Sequence, residues 1–121
     1  MEIADKLNIL NAASEGLLYP SESDEPFKVF CWPRETGQTA QDAVRIHGGV
    51  GIPIESVTVN EFFAALSDSD EADRFAELRT TLGHVVPDFV VLRAGRIDVS
   101  VLLIGTATEK WLGLQTVSVE T

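Results

Sequence analysis

Several things are scarce in this sequence, and each scarcity excludes something. Cysteine occurs once, at Cys31, so no disulfide can form within the chain. There are two histidines, His47 and His84, and no Cys pair or helical His pair, so the usual transition-metal patterns are missing. Bases are few: nine Lys and Arg face nineteen Asp and Glu, a formal charge of −10. A field of that sign repels nucleic acid and anionic membrane, and it attracts cations or a basic protein. No apolar run is long enough to cross a bilayer, and the chain does not open on a basic, apolar leader. With a lone thiol, these features set a reducing cytoplasm as the expected location. Internal repeats, low-complexity runs and linkers are also missing.

What is present suits one domain, residues 1–121, around one core. The chain is 45% hydrophobic and needs no staple to fold. In "MEIADKLNILNAASEG", Ile3, Leu7 and Leu10 recur at helical spacing, and Gly16 is placed to stop the helix. "SESDEP" reads as a turn, with Pro26 pushing Glu25 towards an extended backbone. "FKVFCW" alternates Phe27, Val29 and Cys31 against Lys28, Phe30 and Trp32, which predicts a strand covered on both faces. "TAQDAVRIH" predicts one or two helical turns and "HGGVG" a loop. "ESVTVN" predicts a short strand, and Asn60 is placed to cap the helix "EFFAAL". After "SDSDE", Phe75, Leu78, Leu82 and Val85 keep helical spacing.

The last third changes period. It is rich in β-branched residues and predicts three antiparallel strands, 87–93, 96–106 and 111–120. "RAGR" predicts a tight hairpin between the first two, and "GTATEK" a longer one between the last two. Helices early and strands late predict an α+β fold, with helices packed on an antiparallel sheet of about four to five strands.

Signals for catalysis are thin. Cys31 with either histidine could be drawn as a thiol nucleophile and base, but a mid-strand Cys between aromatic residues reads as a small buried hydrophobe. "SDSDE" at 67–71 lacks the glycine and terminal Glu of a calcium loop, and it reads as a helix N-cap. "HGGVG" matches no phosphate-binding pattern. The chain's end carries more. If Val119 is paired in the sheet, Glu120 and Thr121 project from a rigid strand end, and the hydroxyl and terminal carboxylate of Thr121 together suit Mg²⁺ or an arginine fork.

Three long stretches together resemble one family, the sugar-non-specific nuclease inhibitors, or NuiA-like proteins. They are "ASEGLLYPSESDEPFKVFCW", "VNEFFAAL" and "IDVSVLLIGTATEKWLGLQTVSVET". The resemblance spans nearly the whole chain. It implies a non-enzymatic inhibitor with no cofactor or metal of its own, monomeric when free. Its partner would be a basic, Mg²⁺-dependent non-specific endonuclease. It also implies an α/β/α sandwich like the plant pathogenesis-related class 1 fold. By the same resemblance, Glu22 in Ser-Glu-Ser pairs with basic groups of the nuclease, and Thr121 reaches the nuclease's catalytic metal. Ser21, Ser23, Asp24, Glu25 and Glu120 complete the expected contact set.

One departure stands out. Family inhibitors carry an insertion after the "EFFAAL" helix whose aromatic and amide side chains grip the nuclease; here it shrinks to "SDSDEADRF". Interface hot spots are often aromatic, so a second reading follows: a small acidic binding module on the same fold with a different partner.

Overall fold

The computed structural model describes residues 1–48 and 51–120. The predicted loop "HGGVG" includes Gly49 and Val50, and these two lie outside the described residues.

The first helix, α1 (Ile3–Ser14), buries Leu10 and half-buries Leu7, and it stops where predicted. Gly16 there has φ +73°, a left-handed backbone that glycine adopts without cost. The Arg74 guanidinium donates to the carbonyls of Ala13 and Glu15, at 3.3 and 2.8 Å, which satisfies acceptors that a helix end leaves open. Strands β1 (Leu18–Tyr19) and β2 (Glu25–Pro26) then pair as a small antiparallel hairpin. The main sheet has five strands: β3 (Lys28–Pro33), β4 (Ile54–Val57), β5 (Val90–Ala94), β6 (Asp98–Ala107) and β7 (Lys110–Val119). They lie in the order β3-β7-β6-β5-β4, and every pairing is antiparallel.

Alternation along these strands splits the expected single core in two. In β6, Val99, Val101 and Leu103 face one side, and Leu102 and Ile104 the other. The first side is covered by α1, by α3 (Val59–Ala65) with Phe62 and Phe63, and by α4 (Ala72–Val85) with Phe75, Leu78, Leu82 and Val85. The second is covered by α2 (Ala40–Gly48) through Ala43 and Val44. Helices therefore pack on both faces of one antiparallel sheet, as the α+β and α/β/α expectations required. Helix α2 runs nine residues, longer than foreseen. A reciprocal cap starts it: the Thr39 amide donates to the Asp42 carboxylate, and the Asp42 amide to the Thr39 hydroxyl, each at 3.1 Å. The central pair β6–β7 needs Gly113, since a Cβ at this position would lie 1.8 Å from the Leu103 carbonyl oxygen.

Four local expectations are corrected. Helix α3 is capped by Thr58, whose hydroxyl accepts from the Glu61 amide at 3.1 Å, whereas Asn60 lies inside the helix and accepts from Arg79. Residues 67–71 supply no side-chain cap to α4, whose N-cap Glu71 makes no capping bond. Strand β5 begins at Val90, because the Asp88 carboxylate folds back to accept from the Thr106 amide (3.0 Å) and hydroxyl (2.6 Å). The two hairpins exchange lengths. Ala107 pairs with Lys110 across only Thr108 and Glu109, both with positive φ, the backbone of a two-residue primed turn. The β5–β6 connection is the longer one, with Gly95 held aside by donating its amide to the Pro53 carbonyl.

Candidate functional site

The acidic stretch forms the loop of the β1–β2 hairpin, residues 20–24, and polar side chains of the loop itself shape it. The Ser21 amide donates to the Asp24 carboxylate at 3.2 Å, closing the loop across its mouth. Asp24 takes φ 44°, a left-handed conformation that a short Asp tolerates better than most residues. The Ser23 hydroxyl donates to the Glu25 carboxylate at 2.9 Å. Glu22 is exposed at the tip.

Strand β7 anchors this hairpin by its own period of two. Leu112 and Leu114 enter the first core, and the next positions on that face are Thr116, Ser118 and Glu120. The buried Thr116 hydroxyl reaches the carbonyls of Glu25 (3.2 Å) and Pro26 (3.0 Å). At the strand's end the Val119 amide donates to the Ser21 hydroxyl at 3.3 Å. Residues 98 apart in sequence thus meet. The Glu120 amide donates to the Ile97 carbonyl at 2.8 Å, so backbone pairing persists to that residue. Thr121 lies outside the described residues.

The Glu120 carboxylate accepts from the Ser118 hydroxyl at 2.9 Å and forms an ion pair with Arg93. These two donors hold its carboxyl below the usual glutamate range. Beneath the hairpin, Tyr19 stacks on Phe62 with ring centroids 5.8 Å apart, and Phe27 meets Tyr19 edge-on at 6.2 Å. Burial pushes the Tyr19 hydroxyl above its ordinary value, while Arg93 beside it pulls the other way. The loop with the acids foreseen at 22, 24 and 25 therefore lies beside the end of β7, where Glu120 follows.

Arg93, Thr116, Ser118 and Tyr19 were missed. A signal for two of them existed: Thr116 and Ser118 are polar residues at core-facing positions of an apolar strand. Nothing in the sequence gives the register that brings Arg93 over.

The alternative chemistry is not assembled. Cys31 faces the first core, whereas His47 stacks on Trp32 at 4.0 Å on the opposite side of β3. His84 is exposed in the last turn of α4. Among the described residues, no three His, Cys, Asp or Glu side chains are grouped to hold a metal ion, and no helix is long and apolar enough to cross a membrane. A 300 Å³ groove lies between α3 and α4, lined by Phe63, Phe75 and Arg79, and the acids Asp68, Asp70 and Glu71 lie in the connection between these two helices.

Compared with known protein families, residues 2–121 match the family model described as nuclease A inhibitor-like protein. No curated protein matches the chain at a significant level.

Proposed function

The chain belongs to the nuclease A inhibitor-like family, and on that premise we propose that it inhibits a Mg²⁺-dependent, sugar-non-specific nuclease by occupying the active site. The observation that carries this reading is the Ser21–Val119 hydrogen bond, which sets the acidic loop beside the end of β7. A nuclease that holds phosphodiesters through a metal and basic side chains presents a cationic cleft. Glu22 offers that cleft a carboxylate where a phosphate would lie. Asp24 and Glu25 add negative potential. With a net charge of −10, such steering brings association towards roughly 10⁸ M⁻¹s⁻¹ at low salt. Glu120 completes the contact set at the end of β7, and Thr121 after it supplies hard oxygens to the metal. A loop already closed by its own hydrogen bonds loses little entropy on docking.

The test is a titration into a non-specific Mg²⁺ nuclease digesting plasmid. Stoichiometric inhibition is expected, lost on Glu22→Ala and on appending two glycines after Thr121. Inhibition untouched by both changes would refute this contact set. No inhibition by the unaltered chain would instead favour a module with another partner. The specific observation behind that second reading is the short acidic α3–α4 connection, which carries no aromatic side chain between Leu66 and Ala72.

A further inference from the structure

We infer that Arg93 is a positioning residue, a latch that fixes the end of β7 and the acidic hairpin relative to each other before a partner arrives. This rests on the reading that these two segments form one binding face.

The register dictates the reach. Arg93 on β5 pairs with Val101 on β6, and Val101 pairs with Thr116 on β7. Glu120 lies four residues beyond Thr116, so Arg93 must reach both along the strands and over β6, two strand spacings of roughly 9–10 Å across. The Arg93 side chain is only 22% exposed and Glu120 is 45% exposed, so a largely covered guanidinium meets a carboxylate at the surface. The guanidinium carries several donors in a fixed fork and can serve two acceptors at once. One of them is the Glu120 carboxylate, and the Arg93 charge also pulls on the Tyr19 hydroxyl at the foot of the hairpin. Ser118 steadies the same carboxylate. The Val119–Ser21 bond carries that anchoring on from the end of β7 to the hairpin. The charged groups around Glu120 are Arg93 from β5, Arg96 from the β5–β6 turn and Glu55 from β4, all lining a 240 Å³ depression with it.

The test uses the full chain as Arg93→Met, Arg93→Lys and Glu120→Gln, with two readouts. Amide hydrogen exchange in the free protein reports the latch directly. Inhibition of the plasmid-digesting nuclease reports its consequence. Arg93→Met is expected to speed exchange at Ser21, Val119 and Glu120 by about tenfold, the scale of one lost charge-assisted hydrogen bond. Core amides such as Leu103 and Leu114 should stay protected. Arg93→Lys should recover part of the effect, since an ammonium can pair with Glu120 but lacks the planar guanidinium fork. Glu120→Gln should loosen the strand end alone, and adding it to Arg93→Met should change little. Inhibition should weaken in step with exchange. Unchanged local exchange in Arg93→Met overturns the latch, as does uniform loss of protection throughout the core. If local exchange accelerates as expected but the unaltered chain inhibits no nuclease, the latch stands and the inhibitor reading falls.

Discussion

Replacing Thr116 with valine removes one hydroxyl and little else, and it tests whether the recognition loop is mounted on the sheet as described. The side chain is buried, and its hydrogen is shared between the carbonyls of Glu25 and Pro26, so it counts as one bond rather than two. A net intramolecular hydrogen bond contributes about 1 kcal/mol, and acceptors left facing a methyl group add part of their desolvation cost, so a loss of about 1–2 kcal/mol is expected. Unfolding entropy near 2.1 cal/mol/K per residue over 121 residues is roughly 250 cal/mol/K. The predicted fall in Tm for Thr116→Val is therefore about 4–8 °C, measured by differential scanning calorimetry. Exchange should also quicken at the hairpin amides 21–25 before it quickens in β6. A Tm within about 1 °C of the parent, with hairpin exchange unaltered, would show that the Thr116 hydroxyl contributes nothing and that the loop is held by its aromatic footing and the Val119–Ser21 bond.

The corrected cap of α3 separates two neighbouring substitutions. Thr58→Ala should cost about 1 kcal/mol in urea unfolding, whereas Asn60→Ala, which loses only an exposed contact to Arg79, should cost about half of that or less. Glu120 gives a pH prediction. Its carboxyl is held low in the folded protein by Ser118 and Arg93, so its contribution is complete above the ordinary glutamate value of about 4.3 and is lost as pH falls through the folded value. The Tm gap between the parent and Glu120→Gln should be flat at neutral pH and close on acidification. Asp42, lowered by its Thr39 partners, follows the same direction in both proteins and cancels. A gap that widened on acidification would contradict the ion pair.

How much of this was legible in the sequence depended on the range of the interaction. Ile3, Leu7 and Leu10 announce α1, and Gly16 its end, because helix faces and stops are written within a few residues. The alternation from Val99 to Ile104 announces a strand buried on both sides. The cap of α3 was misplaced by two positions because Thr58 and Asn60 are both good caps, and only the backbone at Thr58 decides between them. The hairpin lengths were exchanged because two consecutive left-handed residues without glycine, Thr108 and Glu109, are rare enough to discount, while Gly95 looked like the obvious tight turn. The acids of the candidate site were individually visible. Their assembly was not, since Ser21 meets Val119 and Arg93 meets Glu120 only through the register of three strands, which no local pattern encodes. The family motifs, by contrast, were visible at once, because they record the outcome of that register without explaining it.

The two edges of the main sheet carry a consequence for self-association. Strand β3 ends in Pro33, which has no amide to donate, and begins with exposed Lys28; β4 is four residues long with Glu55 exposed. Neither offers a long, flat, neutral row of backbone donors and acceptors, which is what fibril growth and strand-swapped dimers require. These two edges therefore offer a partner side chains rather than a vacant strand position.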